Sequence, residues 1–407
     1  MPRSIPIAAD MFERKRIPGR RLLHSPGPSP VPDEVLHAMS RQPMDLADPR
    51  VSATIDACER GVKRLLGTTS ADVFFYIANG HGAWEAVIEN LLPVGGMALV
   101  PGTGHFSESW ALQTEALGRR AQRTAWREGH PIDLRAVTQA LMQDTARDIV
   151  AVFAVHIDTA SGVSNDLTAL RQAMDDTGHP ALLVVDAVAS LGVEPLMMDS
   201  LRANVVLGAS QKGLMCPPGL AMVAVDAQAL AVSLRNPAPR FYWDWEARRG
   251  PMSYQKFCGT PPLALMAGLE AALALIFSEG LPQVWARHAL LARAVHAAVE
   301  GWREGGALDF FCADSARRSA AVTAITVAPG IDVDALRTSA RERFQVAMAG
   351  GLGTLHGRAF RIGHLGDHNA AGILGALAGI EAALRAHGVP VGLGGVHRAV
   401  AVVAQAL

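Results

Sequence analysis

Cysteine is scarce in this chain. Among 407 residues there are four, Cys58, Cys216, Cys258 and Cys312. They are scattered and none forms a CxxC pair, which argues against a zinc site and against a secreted disulfide framework. No metal site is expected, and a reducing cytoplasm fits. Charge is sparse and balanced: 18% of residues are charged and the formal net charge is -1. That balance points to neither nucleic acid nor a membrane surface as a partner. The basic clusters, Arg14-Lys15-Arg16 and Arg20-Arg21, are short. A solvated arm or a subunit contact accounts for them. Long apolar runs are missing too. The stretch MPRSIPIAADMFERKR has no continuous apolar segment of the kind a signal peptide needs. The most membrane-like run, Thr260 to Phe277, has two prolines near its start and Glu270 in its middle. A span needs about 20 apolar residues, so this run reads as a buried helix. No internal repeat or low-complexity tract stands out.

What the chain has is length and apolar content. Half of it is apolar, an ordinary globular composition, and its length exceeds one typical domain. Residues 1–22 mix charge with prolines, lack a period and read as an arm. Ser25-Pro26-Gly27-Pro28-Ser29-Pro30 must be an extended loop, because each proline pushes the residue before it out of the helical region. Asp48-Pro49 starts a helix through Leu66. Beyond it strands and helices alternate. Strand candidates are Val73 to Ala78, Met97 to Val100, Ile149 to Val155, Leu182 to Val185, Val205 to Leu207 and Ala221 to Val225. Helical spacing marks Gly82 to Leu92 and Asp166 to Asp175. Continuous apolar strands between helices predict an α/β fold, a doubly wound and mostly parallel sheet covered on both faces. Past Phe277 the pattern changes. Leu281 to Trp302 reads as a long helix, with strands at Ala320 to Val327, Phe344 to Ala349 and Phe360 to Gly363. Asn369 can cap a helix from Ala370 to about His387. The expected organisation is an arm (1–22), a large domain (23–280) and a smaller C-terminal α+β domain (281–407).

Chemistry concentrates at a few strand ends. In Leu207-Gly208-Ala209-Ser210-Gln211-Lys212-Gly213 a strand ends in small residues and then presents a lysine. Ligands of open α/β sheets sit at the carboxyl ends of strands; the bland reading is a surface lysine in a turn. In Val184-Val185-Asp186-Ala187 an apolar strand ends at an aspartate. A pyridinium nitrogen needs a carboxylate beside it to stay protonated, and a carbonyl cofactor needs a lysine amine. An aspartate at one strand end and a lysine at the next meet both demands. Asn79-Gly80-His81-Gly82, between a strand and a helix, can cradle a phosphate on backbone N–H groups. Arg361 lies inside the apolar strand FRIGH. It suits a substrate carboxylate, which arginine grips with two parallel hydrogen bonds, or else a structural salt bridge.

These elements, in this order, resemble the class V, fold-type I aminotransferases, in particular the alanine–glyoxylate and serine–pyruvate branch. The resemblance runs from about Leu23 to about Arg385 and is carried by VVDAVASLG, GASQKGLMCPPGLA and FRIGHLG. It implies a pyridoxal 5′-phosphate enzyme that moves an amino group between small amino acids and 2-oxo acids such as glyoxylate or pyruvate. Lys212 would carry the cofactor and Asp186 would pair with its ring nitrogen. Gly80, His81, Gly82 and Gln211 match phosphate contacts, and Thr159 matches a hydroxyl near the ring. Val188 and Phe106 would lie against the two ring faces. Arg361 matches the carboxylate binder, with Ser25 and Gly27 on the substrate side. Thr260 matches a phosphate contact donated by a neighbouring subunit, which implies a homodimer. Three positions depart from the pattern. Phe106 stands where tryptophan is frequent, Phe257 where tyrosine is frequent, and Ser25 where glycine is common. Two rival readings keep the same fold. A desulfurase or lyase would need a nucleophilic cysteine, for which Cys312 is the candidate. An inactive binding protein would not need both Lys212 and Asp186.

Overall fold

The computed structural model describes residues 18–406. Most of the arm expected over residues 1–22, with its Arg14-Lys15-Arg16 cluster, lies outside the described residues. The strands are β1 (Leu22–His24), β2 (Asp72–Tyr76), β3 (Met97–Val100), β4 (Arg120–Arg123), β5 (Ile149–Val155), β6 (Ile157–Asp158), β7 (Val163–Ser164), β8 (Leu182–Asp186), β9 (Val205–Ala209), β10 (Ala221–Val225), β11 (Leu308–Phe310), β12 (Val322–Val327), β13 (Val346–Gly350) and β14 (Ala359–Gly363). Seven of them form one sheet in the order β2-β10-β9-β8-β5-β3-β4. Its neighbours are parallel except for β10, which runs against both β2 and β9. The exception has a simple cause. A parallel return needs a crossover of a dozen residues or more, and the link Ser210 to Leu220 contains no helix.

The apolar runs read from the sequence are explained by burial on both faces. Along β5, Val152 and Ala154 face one core, and Ala151, Phe153 and Val155 face the other. Along β8, Leu183 and Val185 face the first core, and Leu182 and Val184 the second. The helices Pro49–Leu66 and Leu263–Glu279 cover the first core with Ile55, Leu66, Leu269 and Ile276. The helices Gly80–Leu91 and His105–Ala116 cover the second with Trp84, Val87 and Trp110. Among the described residues no single helix is long and apolar enough to cross a membrane. The apolar helix ends at Gly280, whose φ of 91° is open to glycine and lets the chain turn into the helix Leu281–Arg303.

A second sheet has the order β1-β13-β14-β12-β11. Its first strand comes from the other end of the chain: Leu22, Leu23 and His24 pair in parallel with Val346, Ala347 and Met348. The sequence reading assigned residues from 23 onward to the larger part and expected no strand here, since three residues are too few to show alternation. The polar edge strand Arg120–Arg123 escaped for a related reason: RAQR has no apolar signal.

The seam between β1, β14 and the helix Leu281–Arg303 is rich in histidine. His24 and His368 stack with ring centroids 4.3 Å apart. The ring of His24 hydrogen-bonds Gly363 O through Nδ1 at 2.9 Å, and His288 Nε2 accepts the Gly366 N–H at 3.0 Å. His364 spans Ala320 O and Thr323 Oγ1, and His296 lies edge-on to it. Burial pushes all of these below the ordinary histidine range, His288 and His296 to about 4 and His368 to about 2. Arg287 and Arg318 add to the depression at His288 and His296. The unfolded chain therefore binds more protons than the fold once pH drops below about 6.5. Stability is complete above that value and is lost as pH falls toward 4, at up to about 1.4 kcal/mol per unit for each histidine that stays neutral. The melting temperature is expected to fall steeply from pH 7 to pH 5. An unchanged melting temperature over that range would contradict this account.

Candidate functional site

Lys212 and Asp186 come together because β8 and β9 are adjacent and parallel, with Asp186 opposite Leu207. Both residues line one cavity of about 270 Å³ at the carboxyl ends of the strands. The same cavity is lined by Gly27, Gly80, His81, Phe106, Thr159, Val188 and Gln211. Four expected site residues are not on its wall: Gly82, Ser25, Arg361 and Thr260.

The lysine loop is closed on itself. Ser210 Oγ donates to Pro217 O at 2.6 Å, and the Met215 N–H donates to Lys212 O at 3.0 Å. The proline-rich loop lies over it. Ser29 Oγ donates to Lys212 O at 2.8 Å, and Lys212 Nζ donates to Pro26 O. Gly27, with φ of 121°, passes so close that a Cβ there would strike the lysine side chain. Burial pulls the Lys212 ammonium down to about 8; the Arg361 charge acts in the same direction, and Asp186 and Asp158 oppose it.

Asp186 is 5% exposed. Its Oδ1 accepts the Val188 N–H at 2.7 Å and its Oδ2 accepts the Trp84 indole N–H at 2.9 Å. Burial raises its carboxyl to about 6 against those two bonds. No cation lies within 4.0 Å of it among the described residues. Gln211 Oε1 is buried and has no partner.

Gly80, His81 and Gly82 were expected as a loop before a helix. They are instead its first turn, capped by Asn79, whose Oδ1 accepts from the His81 N–H at 3.1 Å and the Gly82 N–H at 3.4 Å. Gly82 faces away from the cavity, toward Ala78 and Trp243. Thr159 is held in the tight hairpin between β6 and β7. Its carbonyl accepts from Arg361 Nη1 at 2.8 Å, while Arg361 Nε donates to Gly350 O at 2.7 Å. Arg361 thus reaches from the smaller sheet to the edge of the cavity. It makes no salt bridge among the described residues, so the structural ion pair weighed from the sequence is not what buries it. Burial lowers its guanidinium to about 10. Ser25 Oγ donates to Gly27 O at 3.3 Å. Thr260 is exposed and lines a separate cleft with Arg41, Pro43 and Met44. Phe257 packs on Phe75 in the core, where it needs no hydroxyl.

Two residues of the site were not foreseen. Trp84 contributes to the sequence reading only as one of the positions with helical spacing between Gly82 and Leu92. Asp158, 0% exposed, accepts the Phe106 N–H at 3.0 Å and the Ala160 N–H at 2.8 Å and so shapes the wall beside the lysine. An acid at the end of the apolar strand run VFAVHID was the available signal. Cys312 is 3% exposed and donates to Asp314 O at 3.3 Å. Burial pushes its thiol up to about 11, the opposite of what a nucleophile needs.

Comparison with known proteins agrees over almost the whole length. Residues 21–362 match the family described as "Aminotransferase class-V". The serine–glyoxylate aminotransferase of Methylorubrum extorquens is 38% identical over 92% of this chain and 94% of its own. The L-aspartate–glyoxylate aminotransferase of Paracoccus denitrificans is 35% identical over 91% of this chain and 92% of its own. The crystal structure of pyridoxamine–pyruvate aminotransferase from Mesorhizobium loti superposes with a TM-score of 0.86 at 26% identity, covering 97% of this chain and 100% of that one. The α/β architecture is accordingly the fold-type I one that the motifs implied, and the chain belongs to the class V aminotransferase family.

Proposed function

We propose that this aminotransferase uses pyridoxal 5′-phosphate to move an amino group between a small L-amino acid, of the alanine or serine type, and glyoxylate or pyruvate, as a homodimer in the cytoplasm. The observation that carries the reading is the meeting of Lys212 and Asp186 in one cavity. The residues present fit the cofactor. Asp186 is a buried carboxylate without a cation beside it, and Gln211 lines the same cavity, where its amide NH2 could donate to a phosphate. Phe106 and Val188 supply apolar wall. Names of relatives that pair serine or aspartate with glyoxylate support the substrate class. The same reading takes 23–280 as the cofactor-binding domain and 281–407 as the smaller one, with Leu22–His24 added to the latter. Thr260 would serve the partner's phosphate.

When bound, the cofactor supplies a carbonyl that receives the amino group and a ring that accepts electrons from Cα. The protein's part follows from its own groups. Asp186 holds a proton on the ring nitrogen. Lys212 Nζ, lowered to about 8 by burial, becomes free as pH rises through that value, and the free amine can take the Cα proton and return it. Arg361 offers Nη2, unused among the described residues, to the substrate carboxylate.

The test is a half-reaction screen. Protein loaded with pyridoxal phosphate absorbs in the visible range, and each amino donor should convert that band to the pyridoxamine form. A protein that acquires no band, or that releases ammonia or sulfide instead of a 2-oxo acid, would overturn the reading. Arg361→Lys sharpens it. Lysine keeps the charge and loses the fork, so kcat/KM for amino acids should fall roughly tenfold to hundredfold. The decarboxylated amine should be unaffected. Equal losses for both substrates would leave Arg361 only its bonds to Gly350 and Thr159.

A further inference from the structure

Trp84 lies near the start of the helix Gly80–Leu91 and is 2% exposed. Its indole N–H is directed at Asp186 Oδ2, 2.9 Å away. The ring is held by a column of other rings. It stacks on Trp110 with centroids 5.4 Å apart at 10°, and Trp110 stacks on Phe153 at 4.5 Å and 10°. Phe106, on the cavity wall, meets it edge-on at 6.3 Å. Packing alone does not require that N–H: the indole nitrogen of Trp110 in the same column is buried with no acceptor. A phenylalanine would stack there equally. What tryptophan adds at position 84 is one donor aimed at one carboxylate.

We infer that Trp84 is a positioning residue: together with the Val188 N–H, its indole N–H keeps the Asp186 carboxylate ionised and fixes its plane, so that its remaining acceptor positions face the ring nitrogen of the cofactor. The inference rests on the function proposed above. A carboxylate has about four acceptor positions, and the two donors occupy one on each oxygen. Burial favours the neutral acid, and hydrogen bonds to the charged form oppose it. Without Trp84 only the Val188 N–H remains, the carboxylate can turn about its Cβ–Cγ bond, and the acid form gains ground. A protonated Asp186 cannot stabilise a charged ring.

Two readouts separate this role from simple packing. The first needs no cofactor. In protein labelled with 13C at aspartate, the Asp186 carboxyl titration of Trp84→Phe should move upward by about one pH unit, the equivalent of roughly a tenfold change. The second uses loaded enzyme. Trp84→Phe should lower kcat roughly tenfold with KM for the amino donor unchanged, and should cost nothing further in an Asp186→Asn background. Should Trp84→Phe fail to fold, a benzothiophene analogue of tryptophan at position 84 keeps the shape and lacks only the N–H. An unmoved carboxyl titration, or an equal loss in both backgrounds, would overturn the inference. A wild-type protein that took up no pyridoxal phosphate would instead overturn the function and, with it, the cofactor half of this inference. The carboxyl titration would still judge the link between Trp84 and Asp186.

Discussion

Lys212→Ala is expected to fold, to retain pyridoxal phosphate through its other contacts, and to lose transamination by roughly 10^4-fold. The size of the effect follows from position. Lys212 is the amine just beyond the end of β9, enclosed by the proline-rich loop and lowered to about 8, and it lines the same cavity as Asp186. On the proposed function, alanine would remove both the covalent anchor and the group that carries the Cα proton. The other lining residues offer no equivalent amine. Stability should change little, because the side chain's hydrogen bond goes to the single carbonyl of Pro26. Small primary amines added to the buffer should restore part of the proton transfer. Turnover near the wild-type rate, measured by oxo-acid release, would remove Lys212 from the chemistry.

Asp186→Asn should cost roughly a hundredfold in kcat, since a neighbouring opposite charge shifts a titrating group by about 1–3 pH units and an amide supplies none of that. The substitution also disturbs the apoprotein. Asp186 accepts one N–H on each oxygen, from Val188 and from Trp84. An amide has one acceptor oxygen, so one of those donors must face an NH2 group. An unpaired buried donor costs about 1–3 kcal/mol. The melting temperature should therefore fall together with activity, while cofactor is still bound. The absorbance of bound cofactor and a thermal melt read the two effects separately. A variant with near-normal turnover would end the case for Asp186 as the ring's partner.

Much of this could be read from the chain, and the reasons differ by residue. Ile149–Val155 and Met97–Val100 were legible because burial on both faces makes a strand an unbroken apolar run. Asp186 and Lys212 were legible because a charged group at the end of such a run is costly unless something uses it. Asn79 was seen only as part of a glycine-rich turn. Its role as a cap moved the helix start to Gly80 and engaged two N–H groups that had been assigned to a phosphate. Asp158 was missed although an acid ends the apolar run VFAVHID, and the role of Trp84 could not be read at all. The meaning of an indole N–H is set by its acceptor, and that acceptor lies on a different strand. Arg361 fell between these cases. Its burial in a strand signalled a purpose, but its bonds to Gly350 and Thr159 required the smaller sheet and the β6–β7 hairpin to meet.

The pairing of β1 with β13 has a consequence for synthesis on the ribosome. All strands of the larger sheet lie between Asp72 and Val225, so that sheet can form while later residues are still being made. Leu22–His24 cannot, because its partner Val346–Met348 emerges last but for β14 and the terminal helices. The first described strand must therefore wait, unpaired, for most of translation. The loop that follows it, Ser25 to Pro30, is the one that covers Lys212. Until Val346 is made, that loop has only its own bonds to the larger part, from Ser29 to Gln211 O and Lys212 O and from Lys212 to Pro26 O. Closing so long a loop adds only slowly to the entropic cost. The order of events is nevertheless imposed by the chain: the strand that leads into the cover of Lys212 gains its partner only after every strand of the larger sheet has been made, and a chain cut short before Val346 would leave Leu22–His24 unpaired.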